Sequence, residues 1–268
     1  MEPRNFTTPE SLQVEIKLGS GSIEVDPADT TETTLEIEGE RDPDQFRIEF
    51  SERPEGGHRL VVEEQKRKGL VFNLSRDARI RLRCPFATTV DVSSGSADLL
   101  ATGRLASIAF RTGSGDLQFE ESDGAVVVKS GSGDVQGKHV RGDLVANTAS
   151  GDVQVRRVEG ELVARTASGD IQVGTGGSSV QVATASGDVT IDAVSHGEVT
   201  LRSVSGDVEV GVERGTKVWL DLSSVSGDTR SDLDMSDGPG EGESALELRA
   251  STVSGDVHVR SARSSAGS

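Results

Sequence analysis

Apolar and polar residues alternate in short runs through most of the chain. In the stretch Asp152 to Gly169, Val153 and Val155 flank Gln154, and Leu162 and Ala164 alternate with Val163 and Arg165. A period of two is the signature of a half-buried strand. Glu159-Gly160 separates the two runs and Ser168-Gly169 closes the second, so the stretch reads strand, turn, strand, turn. It carries no i, i+3, i+4 stripe, and β-branched residues favour its strands.

The same phrase recurs. Ser-Gly-Asp begins at Ser114, Ser132, Ser150, Ser168, Ser186, Ser205, Ser226 and Ser254, in steps of 18, 18, 18, 18, 19, 21 and 28. A degenerate copy, Ser94-Gly95-Ser96-Ala97-Asp98, lies upstream. A fixed period of this length predicts a repeat architecture. One unit cannot stand alone: each inward apolar side chain contributes roughly 1.5–3 kcal/mol, against an ordering cost of about 1.5 kcal/mol per residue. Stacked units share a backbone ladder and a continuous core. The expected fold is therefore all-β, a parallel β-solenoid (β-helix) of 18-residue coils. The crossover rule favours right-handed coils. The wider final steps read as loop insertions.

Register assigns the inward positions. The first strands supply Leu117/Phe119, Val135, Val153/Val155, Ile171/Val173, Val189/Ile191, Val208/Val210 and Val257/Val259. The second strands supply Val126/Val128, Leu144/Ala146, Leu162/Ala164, Val180/Val182, Val199/Leu201, Val218/Leu220 and Leu246/Leu248. Val140, Val158, Val194 and Val212 take a third inward position, as on a third short side.

Residues 10–90 lack the period. Alternating runs at Leu12–Leu18, Ile23–Val25, Thr34–Ile37, Phe46–Phe50, Leu60–Val62, Val71–Leu74 and Ile80–Leu82 alternate with turn clusters such as Asp42-Pro43-Asp44. They read as an antiparallel β region spanning 1–90 that caps a β-helix over 91–260. Leu18-Gly19-Ser20-Gly21-Ser22-Ile23-Glu24-Val25 echoes the repeat and suggests a distorted first coil. Residues 231–244, acidic and Gly/Ser-rich, read as a loop inserted in the last turn, and 261–268 as a disordered tail.

Composition narrows the function. Of 268 residues, 45 are acidic and 28 basic, giving a net charge of −17, which disfavours a nucleic-acid partner. No apolar run is long enough to span a bilayer as a helix. Met1-Glu2-Pro3-Arg4-Asn5-Phe6 reads as no secretory leader, and Cys84 is the single cysteine, so a cytoplasmic location is expected.

Three passages together resemble a known family. They are Thr8-Pro9-Glu10-Ser11-Leu12-Gln13-Val14 before a Gly-x-Ile-x-Val strand, Ile80-Arg81-Leu82-Arg83-Cys84-Pro85-Phe86 leading into Val90-Asp91-Val92-Ser93-Ser94-Gly95, and the run of Ser-Gly-Asp-Val/Ile-x-Val coils. The chain is similar over nearly its whole length to the bacterial family known as putative adhesins, a domain of unknown function that forms β-helices. The resemblance implies a fold and carries no catalytic residues.

Several columns are candidates for chemistry. Asp116, Asp134, Asp152, Asp170, Asp188 and Asp207 would stack about 4.8 Å apart and offer a cation column, as in a Ca²⁺-binding β-roll. The competing reading is a turn whose Ser and Asp side chains bond nearby backbone N–H groups. It is electrostatically tolerable, because exposed carboxylates at that spacing repel by roughly 0.9 kcal/mol. Gln118, Gln136, Gln154 and Gln172 form an outward column suited to an amide ladder. Val127, Val145 and Val163 should face outward, with Trp219 in the same register, and such an apolar stripe marks a contact surface. Lys129, Asn147, Arg165 and Arg202 make a modest basic strip beside it, and Arg141-Gly142-Asp143 reads as a turn. His58, His139, His196 and His258 lack metal-ligand spacing. No His/Asp constellation accompanies Cys84, which reads as a buried structural thiol.

The expectation from sequence is a non-enzymatic binding or assembly scaffold, with no catalytic residue and no cofactor. Its partner is a protein or a second copy of the chain. The alternatives are a Ca²⁺-binding β-roll-like module and a polysaccharide-active β-helix enzyme.

Overall fold

The computed structural model describes residues 2–39, 45–65, 77–233 and 246–262. The expected run Val71–Leu74, the turn Asp42-Pro43-Asp44, most of the acidic loop 231–244 and most of the tail 261–268 lie outside them. The described residues form strands and no α-helix, and the fold is the expected all-β parallel solenoid. The chain divides into two compact units, Met1–Gln136 and Gly137–Ser268.

The first unit contains β1 (Arg4–Thr7), β2 (Leu12–Ala28), β3 (Glu32–Gly39), β4 (Phe46–Glu52), β5 (His58–Glu64), β6 (Ala78–Pro85), β7 (Thr88–Leu105), β8 (Ser107–Thr112), β9 (Leu117–Ser122) and β10 (Val126–Ser130). The region is not wholly antiparallel. β3 does pair antiparallel with β1 and β6, and β4 with β5. But β2 runs parallel to β5, β6 and β7. The reason lies in Gly19-Ser20-Gly21, which bends one long strand into two sides of a coil. At Gly21 φ is +132°, and a Cβ there would fall 1.9 Å from the Ala78 carbonyl oxygen, so only glycine fits. β2 thus acts as the first coil: Val14 faces Val90 and Ile23 faces Leu99 in register with β7. β7 then passes the pattern to β8 and β9.

β11 (Val135–Val140) spans the boundary between the units. The second unit continues with β12 (Leu144–Thr148), β13 (Val153–Val158), β14 (Glu161–Arg165), β15 (Ile171–Thr175), β16 (Ser179–Ala183), β17 (Val189–Val194), β18 (Gly197–Arg202) and β19 (Val208–Val212). Even-numbered strands from β12 pair in parallel on one face, and odd-numbered strands from β13 on the other. Their inward residues, such as Leu144, Leu162, Val180 and Val199, are fully buried. Val158, Val194 and Val212 are buried too, but they end β13, β17 and β19, after a register shift in the β17–β19 pair, and form no third side.

Four strands complete the second unit: β20 (Val218–Ser226), β21 (Thr229–Ser231), β22 (Leu246–Ser254) and β23 (Val257–Ser261). They are stacked out of chain order. β18 pairs with β22, and β22 with β20; β19 pairs with β23, and β23 with β21. The final coil is therefore inserted beneath the one that precedes it in sequence. The wide steps from Ser205 to Ser226 to Ser254 record this reversal as well as loop length. Composition explains it. β23 offers Val257 and Val259 to an interior position, whereas β21 has Thr229 and Ser231 at those registers. The polar pair suits the end of the stack, where a neighbour covers only one side. Val218 and Leu220, expected in the core, are accordingly only half-buried.

The glycine of the repeat has a packing role. A Cβ on Gly187 would lie 2.1 Å from the carbonyl oxygen of Gly169 in the coil below. Backbones meet at this corner, so no side chain fits between them.

Candidate functional site

The Asp column is internally bonded. In the second unit, Oδ1 of Asp152 accepts the backbone N–H of Asp170 at 2.8 Å, and Oδ1 of Asp170 accepts that of Asp188 at 2.8 Å. The series continues from Asp188 to Asp207, Asp256 and Asp228. In the first unit, Asp98 and Asp116 accept the N–H groups of Asp116 and Asp134. Each carboxylate thereby satisfies a corner N–H that has left the strand ladder. Asp143 of the Arg-Gly-Asp tripeptide does the same for Glu161 at 2.8 Å. Among the described residues no group of three His, Cys, Asp or Glu side chains converges as metal ligands would.

A second column lies beside it and was not singled out from sequence. Thr166, Thr184, Ser203 and Thr252 are buried, and their hydroxyls donate to the carbonyls of Gly151, Gly169, Gly187 and Gly206. The signal was legible: a hydroxyl residue stands two places before each motif serine. The amide ladder forms in part, with Nε2 of Gln154 donating to Oε1 of Gln172 at 2.7 Å.

The apolar stripe is corrected in register. Val145 pairs with Val163, Val163 with Gln181, Gln181 with Thr200, Thr200 with Arg249 and Arg249 with Asp221. The register therefore ends on Asp221. Trp219 instead pairs with Glu247, two positions away on the same face. The offset from the motif serine gives the same register: Asp221 stands five places before Ser226, as Val163 does before Ser168, whereas Trp219 stands seven before. Val127, Val145 and Val163 are half-buried, and Trp219 is 48% exposed with the Arg249 guanidinium 5.4 Å from its ring centre. The basic strip is broken, because Ala183 separates Arg165 from Arg202.

A stronger apolar column occupies the corner before the motif serine. Ala149, Ala167 and Ala185 are followed by Val204, Val253 and Val225. The N–H of Ser254 donates to the carbonyl of Val204 at 2.9 Å, and β20 sets Val225 beside Val253. These valines are 53%, 48% and 82% exposed. The sequence signal was the change from Ala-Ser-Gly-Asp to Val-Ser-Gly-Asp in the last copies.

The remaining candidates are local. His139 lies 2.9 Å from Glu159, and His258 2.8 Å from Asp232. These contacts hold both carboxyls below their ordinary range, with Arg230 helping at Asp232. His58 stacks on Phe50 at 5.2 Å, and His196 meets Ser195. Cys84 is buried, and burial pushes its thiol up to about 12. Among the described residues, Glu15 is likewise held below the ordinary carboxylate range, by Arg59.

The family model described as Toastrack DUF4097 matches residues 11–260. Among solved structures, a putative adhesin from Bacteroides fragilis is 11% identical, with 96% of this chain and 95% of that one covered at a TM-score of 0.45. A putative lipid binding protein from Parabacteroides distasonis is 16% identical, with 96% of each chain covered at a TM-score of 0.44. A putative cell adhesion protein from Clostridium sporogenes is 10% identical, covering 97% and 99% of the two chains at a TM-score of 0.27. Comparison with curated proteins finds no match.

Proposed function

The chain belongs to the Toastrack DUF4097 family, and on that premise we propose that it is a non-enzymatic binding scaffold acting through protein–protein contact on its outward faces. One observation carries the reading. One oxygen of each ladder carboxylate is taken by the N–H of the next coil, while Val204, Val253 and Val225 stand exposed side by side. A contiguous apolar strip in solvent marks a contact surface. The Ca²⁺ reading loses support because one oxygen of each ladder carboxylate is engaged by an N–H, and the net charge of −17 works against a nucleic-acid partner.

The test is site-specific photocross-linking in the bacterium that makes the protein. A photoreactive side chain at Val163 or Val204 is expected to give discrete protein adducts, and one at Gln172 none. Absence of adducts at both apolar positions, or equal labelling at all three, overturns the reading.

A further inference from the structure

We propose that the free edge of β20 binds the same edge of a second copy of this chain in antiparallel register, giving a two-fold dimer. This names a partner for the scaffold and rests on that reading. Among the described residues, β20 pairs with β22 on one side and with nothing on the other. It is nine residues long and bears no lysine, proline or bulge, and Asp221 is its one charged side chain. Val218, Leu220 and Leu222 point toward the core yet remain half-exposed. Beside them an open groove of about 680 Å³ is lined by Val212, Val218, Leu220 and Leu233 together with polar residues that include Glu213 and Arg214. The Asp ladder also stops here, at Asp228.

The sequence of the edge selects its occupant. In an antiparallel pair centred on Leu222, Trp219 faces Val225 of the second copy and Asp221 faces Ser223. Leu220 faces Ser224, and Leu222 meets itself. Trp219 and Val225, 48% and 82% exposed, cover one another on the outward face. The Val204–Val253–Val225 column of each copy then continues onto the indole of the other. Moving the two-fold centre to Asp221 would set that carboxylate against its own copy, and moving it to Leu220 would set Asp221 against Trp219. Charge and shape therefore favour one register. A two-fold pairing also closes, leaving no new edge for a fibre.

Sedimentation of the full chain between 1 and 100 μM (orders of magnitude that bracket common homodimer affinities) is expected to show twice the chain mass. Leu222→Lys is expected to raise the dimer dissociation constant at least about tenfold. Gln172→Lys, on the lateral face away from the apolar positions, is expected to leave it unchanged. In a Cys84→Ser background, Leu222→Cys places two thiols directly opposite, and mild oxidation is expected to give a covalent dimer in a chain whose fold is otherwise untouched. A monomer at every concentration, or a dimer that survives Leu222→Lys and fails to cross-link through Leu222→Cys, overturns the proposal. A monomer that still gives adducts at Val163 or Val204 rejects the edge dimer and keeps the scaffold reading.

Discussion

The backbone N–H of Asp256 donates to the carboxylate of Asp207 at 2.8 Å, across 49 residues of sequence. The bond is the same corner contact that elsewhere joins residues 18 apart, such as Asp170 and Asp188. Stack order and chain order thus part company at the end of the second unit, while the local bonding rule stays constant.

That arrangement has a consequence for truncation. A chain ending at Leu233 lacks β22 and β23, and with them the partners of β20 and β21. Amides of residues 218–231 are then expected to exchange at the rate of unstructured peptide, while those of 197–212 stay protected. Thr229 and Ser231 cannot replace the two buried valines of β23, each worth roughly 1.5–3 kcal/mol. Retained protection over 218–231 would show that β20 can dock directly on β18.

The ladder bond can be isolated at Asp170. Asp170→Ala removes the acceptor for Asp188 N–H and is expected to lower stability by about 1 kcal/mol. Asp170→Asn keeps an acceptor oxygen and relieves repulsion along the column, so it is expected to stay within about 0.5 kcal/mol of the parent. Urea denaturation of the three proteins makes the comparison. Equal losses in Ala and Asn would mean that the carboxylate acts by charge alone.

Glu15 and Arg59 predict a pH dependence. Arg59 donates to both carboxylate oxygens of Glu15, at 2.9 and 2.7 Å, and holds that carboxyl below its ordinary range. A depressed folded value contributes stability that is complete above the ordinary carboxylate range. The contribution fades as pH falls through the folded value. The pair is exposed to solvent, so Arg59→Ala is expected to lower stability only slightly at pH 7. The difference is expected to shrink as pH falls and to disappear at the pH where the carboxyl is protonated in the folded as well as the unfolded chain. An undiminished difference at that pH would assign the effect to packing of the arginine stem.

Cys84 offers a chemical probe of the first unit. With its thiol pushed up to about 12, its thiolate is about one part in ten thousand at pH 8. Ellman's reagent is expected to leave the native chain unlabelled and to react fully in denaturant. Rapid labelling of native protein would show that the sheet around Cys84 opens readily.

The sequence determined the coil. Its strands, inward valines and Ser-Gly-Asp corners follow from a period of two inside a period of 18, because a strand can bury only alternate residues and identical coils stack in register. The hydroxyl and Val corner columns were equally present in the letters. Two features were decided only by the tertiary structure. One is the parallel role of β2 among hairpins, since strand direction depends on partners far along the chain. The other is the reversed order of the last two coils. Periodicity records what each coil offers its neighbours and is blind to which neighbour it meets. That choice is made by burial, which draws Val257 and Val259 inside the stack and leaves Thr229 and Ser231 at its end.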